Sequence, residues 1–269
     1  PGLNLKLKKG KIRGEESFGM LCSEKELTLS ENHNGIIELE ASSELGLSIS
    51  DIMDLNDPII EIEITPNRGD CLGVRGIARD LAAAGMGNLK DLDIIISEGE
   101  FDSIINWHVD LDENEKYLCP KIFGRSFTNL KNDESPLWLK NRLIAVDQRP
   151  ISSIVDITNY IMIDIGRPLH AYDIDKIKGT TLKISKSKKG VKFSALNGNT
   201  YELEDNMLVI SDEQSVDDLA GIMGGERTGV NKNTTRMFLE AAIFDPVSIA
   251  NTGRKLNLNS DARYRFERG

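Results

Sequence analysis

Glu240 stands inside an apolar run, Met237-Phe238-Leu239-Glu240-Ala241-Ala242-Ile243-Phe244. In a strand it shares its face with Phe238 and Ala242. A carboxylate among apolar neighbours is either at a wet edge or held there for a purpose, because burying an unpaired charge is costly. His170 lies in Gly166-Arg167-Pro168-Leu169-His170-Ala171-Tyr172-Asp173, just past a helix stop. A lone histidine is either structural or a proton carrier. Glycines gather at Gly221, Gly224, Gly225 and Gly229. They let a backbone come close to a neighbouring strand or to a bound ligand. No Gly-Lys-Ser/Thr follows them, so they form no phosphate loop. There is no GxSxG elbow and no cysteine in a recognisable nucleophile setting. Covalent catalysis therefore lacks support, and water is the nucleophile to expect.

Composition narrows the classes further. The chain has 269 residues, enough for one large domain or two ordinary ones. Its 33 basic and 43 acidic residues give a net charge of −10, which argues against a dedicated nucleic-acid wrapper but not against a small basic patch. Cys22, Cys71 and Cys119 are far apart and form no CxxC, so neither a zinc ribbon nor a disulfide framework is expected. His33, His108 and His170 are the only histidines and no HExxH occurs, so no metal site is expected. No apolar run approaches the ~18–20 residues of a membrane span. The start at Pro1 lacks the basic and apolar blocks of a signal peptide. These features predict a cytoplasmic protein, not a membrane one, and a chain that starts at Pro1 reads as a fragment.

The elements that must position the candidates follow from local pattern. Leu5 to Arg13 is basic and alternating, which predicts a strand pair broken near Gly10, with Leu5, Leu7 and Ile12 facing a core and Lys6, Lys8 and Lys11 facing solvent. The lysines either guard a solvated edge or contact phosphates. IIEIEIT (59–65) predicts a strand, and Pro66-Asn67-Arg68-Gly69-Asp70 a turn with Asp70 as N-cap. Val74, Ile77, Ala78, Leu81 and Ala82 then fall on one helical face, with Gly85 as the stop. Ser135-Pro136 predicts a capped helix to about Val146. Ile154, Ile157, Ile161, Met162 and Ile165 predict a second, ending at Gly166. Residues 180–212 read as consecutive strands with Asn197-Gly198 as a hairpin turn, and Asp245-Pro246 opens another helix. Long helices beside a run of strands, without regular βαβ alternation, indicate an α+β fold. The basic stretch Lys183–Lys192 is either solvated or in contact with a nucleic acid.

Five stretches carry a resemblance: KIRGEESFGMLCSEKELTLS (11–30), EITPNRGDCLGVRGIARDLAAAG (63–85), RPISSIVDITNYIMIDIGRPLHAYD (149–173), LAGIMGGERTGVN (219–231) and SDARYRFERG (260–269). In these motifs, and in their order, the chain resembles the β subunit of bacterial phenylalanyl-tRNA synthetase. The resemblance implies a division into 1–34 (last strands of an oligonucleotide-binding fold and linker), 35–97 (small helical domain), 98–102 (linker) and 103–269 (an α+β editing domain). It implies that the segment hydrolyses tyrosine wrongly attached to tRNA(Phe) and lacks the aminoacylation site. No cofactor is implied for the segment itself; ATP and Mg belong to the whole enzyme. The implied partners are tRNA(Phe) and the synthetase α subunit, in an α2β2 heterotetramer.

Carried over residue by residue, Glu240 matches the glutamate that recognises the tyrosine hydroxyl, and Gly224 a glycine of the same pocket. His170 matches a histidine near the ester, as catalytic candidate, and Arg149 an arginine at the pocket entrance. Ser260 and Ala262 match small lining residues. The family usually has threonine where Ser260 stands, and Ala145–Gln148 departs from the usual glycine-containing form. The competing reading is a non-catalytic tRNA-binding or scaffold segment of the same subunit. A free-standing trans-editing protein is disfavoured, because residues 1–97 match domains of the full β chain.

Overall fold

The computed structural model describes residues 7–29, 32–53 and 55–269. The chain divides into two compact units, Pro1–Asn56 and Asp57–Gly269. That division falls inside the stretch 35–97, which the resemblance groups as one domain.

In the first unit, β1 (Gly10–Ile12) pairs with β2 (Glu15–Ser17). The reversal comes at Arg13-Gly14, both with positive φ, as a two-residue hairpin turn requires. The predicted break near Gly10 is therefore corrected: Gly10 begins a strand, and Leu7 and Ile12 are exposed rather than core-facing. Leu5 and Lys6 lie outside the described residues. A short helix, α1 (Ile49–Ile52), is capped by Ser48, whose side chain accepts from Asp51 N.

In the second unit, residues 59–65 belong to no strand, against expectation, and Ile59 and Ile60 are exposed. Alternation makes a strand only where another edge supplies hydrogen bonds, and among the described residues none does. A tight turn, Gly69–Cys71, precedes α2 (Val74–Ala83), whose N-cap is Gly73. Asp70 is not the cap: its carboxylate accepts from Arg68 Nε at 3.0 Å and pairs with Arg79. Gly85 does supply the left-handed stop, φ 75°. The predicted face of α2 is only partly used, since Val74 and Leu81 stay exposed.

Next come β3 (Asn106–Val109), β4 (Lys121–Phe127) and α3 (Leu137–Ala145). Ser135 does not cap α3. The N-cap is Pro136, and the Ser135 hydroxyl donates to the buried Asp156 carboxylate at 2.5 Å. α4 (Ser153–Ile165) ends at Gly166, φ 76°, as the sequence predicts. It buries Ile154 and Met162 and leaves Ile157 and Ile165 exposed. α2 approaches α4 closely at Gly73, where a Cβ would sit 2.5 Å from Gly166 N. Gly73→Ala should therefore cost about 1–3 kcal/mol, read as a lower thermal midpoint; an unchanged midpoint would mean the two helices can separate freely.

The remaining elements are β5 (His170–Asp173), β6 (Thr181–Lys186), β7 (Lys192–Ser194), β8 (Thr200–Glu202), β9 (Leu208–Ser211), β10 (Val216–Leu219), β11 (Met223–Gly224), β12 (Met237–Ile243), α5 (Pro246–Lys255) and α6 (Asp261–Phe266). The strands over 180–212 and the β7–β8 hairpin across Asn197-Gly198 match the sequence reading. So does α5, capped by Asp245 accepting from Ser248 N. One sheet runs β11-β10-β9-β6-β3, antiparallel except for β3–β6; the other runs β4-β12-β5, all antiparallel. Their apolar faces and α5 enclose the core, with Trp107 against Phe238 and Phe244 against Phe266. The fold is α+β. No helix among the described residues is long and apolar enough to cross a membrane.

Candidate functional site

The alternation of β12 decides where Glu240 points. Phe238, Glu240 and Ala242 are buried together on one face, as period two requires. Glu240 sits opposite Gly124 of β4 and His170 of β5. Gly124 keeps the space beside it for aromatic rings: a Cβ there would lie 2.0 Å from the Phe238 ring and 2.6 Å from Trp107 Nε1. The Glu240 carboxylate accepts from the Tyr172 hydroxyl at 2.8 Å. A second carboxylate, Asp218 of β10, stands 3.3 Å from the same hydroxyl. It reaches this face through a register shift between Val216 and Asp218, a bulge that re-aims the side chain.

Beside these groups lies a cavity of about 260 Å³. His170, Leu196, Gly224, Gly229, Ser260 and Ala262 contribute to its wall. His170 forms the boundary between the cavity and the carboxylates. Its ring packs edge-on against Tyr172, centroids 4.4 Å apart, and against Gly224, where a Cβ would lie 2.2 Å from Cε1. Its Nε2 is buried without a hydrogen bond, 3.6 Å from Asp218 Oδ2 and so beyond bonding distance. Burial pushes the imidazole down to about 4, so it is neutral at physiological pH. Burial pushes both Glu240 and Asp218 up, and the Glu240 charge adds to the rise at Asp218.

The glycine cluster is held on both sides. Gly224 O accepts from Leu196 N at 2.9 Å, and Gly225 N donates to Asp217 O at 2.7 Å. Gly229 bridges to Tyr172. The close approaches are thus to neighbouring backbone and to the His170 ring, while Gly224 and Gly229 also face the cavity. Ser260 lines the wall. Its hydroxyl donates to Ile222 O at 2.6 Å and accepts from Arg263 N at 3.0 Å as the N-cap of α6. The hydroxyl is therefore committed to structure.

A family model described as B3/4 domain matches residues 118–269. The chain belongs to the B3/4 domain family. The resemblance read from the motifs holds along the whole chain. The phenylalanine–tRNA ligase beta subunit of Paramagnetospirillum magneticum is 52% identical over 98% of this chain and 33% of its own length. That of Gluconobacter oxydans is 49% identical over the full chain and 32% of its own length. The chain thus spans about a third of these relatives. Among solved structures, an N-terminal fragment of the phenylalanyl-tRNA synthetase beta-subunit from Pyrococcus horikoshii aligns with a TM-score of 0.40 at 17% identity, covering 77% of this chain and 69% of that one.

Within the B3/4 domain, four of the expected residues meet at the cavity: His170, Gly224, Ser260 and Ala262. Glu240 lies one layer behind it, reached past His170 and Tyr172. Arg149 is exposed on the loop between α3 and α4; its neighbour Gln148 donates to Asp261 Oδ2 at 3.3 Å at the cavity wall. Sequence reasoning missed Tyr172 and Asp218. The available signal was the acidic pair Asp217-Asp218 placed just before the glycine cluster.

Asp70, Cys71 and Asp80 bring possible metal-ligand atoms within 4.8 Å of one another. Arg68 already donates to all three side chains, and burial raises the Cys71 thiol, so a resident guanidinium stands where a cation would.

Proposed function

We propose that this chain is the part of a phenylalanine–tRNA ligase β subunit that hydrolyses tyrosyl-tRNA(Phe). The observation that carries the reading is the cavity walled by His170, Gly224, Ser260 and Ala262, lined by β5, the strand that pairs with the one bearing Glu240. An aminoacyl ester is already activated, so the site has to hold it beside a positioned water. His170, neutral at the cavity wall, is the residue placed to orient that water. Selecting tyrosine needs a hydroxyl acceptor, and Glu240 has one oxygen outside its bond to Tyr172. A phenylalanyl group would leave that acceptor unpaired, a penalty of about 1–3 kcal/mol. In the whole enzyme, the partners would be tRNA(Phe) and an α subunit in an α2β2 assembly in the cytoplasm, with ATP and Mg serving the ligation reaction elsewhere.

One observation favours a non-catalytic tRNA-binding or scaffold role: Glu240 already accepts from the chain's own Tyr172 and lies behind the cavity wall. Hydrolysis of tyrosyl-tRNA(Phe) and phenylalanyl-tRNA(Phe) by the chain and by the α/β assembly separates the two. Faster loss of tyrosine supports editing; salt-sensitive tRNA binding without turnover supports the scaffold. Glu240→Ala should lower the tyrosine-to-phenylalanine ratio by on the order of tenfold while hydrolysis as such falls less. Equal loss on both esters would remove the recognition role.

A further inference from the structure

Three strands bring two buried carboxylates to a single buried hydroxyl. Tyr172 OH lies 2.8 Å from Glu240 Oε2 and 3.3 Å from Asp218 Oδ2. Asp218 Oδ2 is 3.6 Å from His170 Nε2, a buried atom that no hydrogen bond satisfies. Tyr172, Asp218 and Glu240 are 0%, 4% and 5% exposed. One phenolic proton serves one carboxylate at a time.

The surrounding charges give the second carboxylate no relief. On β5, His170 is neutral and Asp173 faces Lys176 and Thr234. On β10, Asp217 adds negative charge, and its partner Arg227 is shared with Asp212. On β4, Arg125 reaches away to Ser97 O at 2.8 Å, and just before that strand Cys119 stays a thiol, pushed by burial and by Glu240 up to about 12. β12 and β11 carry no other ionisable residue. Two buried like charges this close, with no cation between them, do not both ionise.

We propose that Asp218 and Glu240 hold one proton jointly across the Tyr172 hydroxyl, and that Asp218 is the positioning residue that sets the charge and direction of the Glu240 carboxylate. The pair then carries a single negative charge and presents both an acceptor and a donor toward the layer behind His170. In its effect on substrate choice this rests on the editing reading; the shared proton itself does not. When the proton leaves at alkaline pH, Tyr172 can bridge only one of two full charges. They repel, and Glu240 loses its fixed direction.

The first test needs no variant: a carboxyl-carbon NMR titration of the intact chain labelled at Asp and Glu. The Asp218 and Glu240 signals should move together, with one proton retained to about neutral pH or above. Independent titration of both near the ordinary value of about 4 would overturn the proposal. The second test is the tyrosine-to-phenylalanine hydrolysis ratio between about pH 6 and 9. In the unaltered chain it should fall on the order of tenfold. In Asp218→Asn, where no second carboxylate repels Glu240, the alkaline fall should be absent, while a variant profile that tracks the parent would overturn the positioning role. If neither protein hydrolyses either ester, the editing reading fails, and the carboxyl titration still decides the shared proton.

Discussion

Gly224→Ala should cut hydrolysis of tyrosyl-tRNA(Phe) by on the order of 10²-fold while leaving the chain folded. The added Cβ would lie 2.2 Å from His170 Cε1, 2.8 Å from His170 Nε2 and 3.0 Å from Leu196 Cδ1. All three are side-chain atoms, so the fold can yield, and the φ of Gly224 is not in the left-handed region. The ring has one place to go, into the cavity of about 260 Å³ that it borders. There it would occupy the space the amino-acyl group needs and leave the Tyr172 ring it now packs against. The loss should appear on both tyrosyl and phenylalanyl esters, unlike that of Glu240→Ala, because it removes the room rather than the discrimination. Thermal unfolding should cost no more than about 1–3 kcal/mol. Parental activity at an unchanged melting point would show that the cavity is not the reaction site.

Arg227→Met should be the most destabilising change on the β10 side of the domain, by about 3–5 kcal/mol at neutral pH. The guanidinium donates to Asp212 Oδ2 at 2.6 Å, to Asp217 Oδ1, and to Lys176 O at 3.0 Å. Both carboxylates have fully buried side chains. They differ in support. Burial raises Asp212, but hydrogen bonds from Lys178 N, Arg227, Gln214 N and Ser215 N outweigh it and hold the carboxyl below its usual value. Asp217 has less help, and burial together with the Asp212 charge takes it up to about 6 even with Arg227 present. Removing Arg227 raises both. A carboxyl whose folded pKa exceeds its unfolded one costs stability above the folded pKa, and that cost fades as pH falls toward the unfolded value. The melting deficit of Arg227→Met should therefore be largest above about pH 7 and shrink toward about pH 4. A deficit constant with pH would mean that the side chain serves by packing alone.

Where a local signal was also the final determinant, the sequence reading and the structure agree. Asn197-Gly198, Gly166 and the Asp245 cap of α5 need nothing beyond their own neighbours. The predicted caps failed where a distant partner claimed the side chain: Asp70 turned to Arg68 and Arg79, and Ser135 to Asp156. The alternation in 59–65 is sound, but a strand is a pairing and not a pattern. At the site, the placement of Glu240 followed from the two-residue period of β12. The acidic pair Asp217-Asp218 was visible, but its meeting with Tyr172 and Glu240 was not, because that depends on the β12–β5 register and on the bulge in β10.

The central position of β12 also divides the site by how easily its parts open. Residues 237–240 are hydrogen-bonded to β4 on one side and β5 on the other. Exposing the Glu240 amide to exchange requires both ladders to part, which comes close to unfolding the domain. The opposite wall, Gly221 to Gly229, hangs on a two-residue strand and isolated bridges. Deuterium should enter that wall long before it enters β12. A guest would then be admitted by breathing of the glycine segment against an acceptor that does not move.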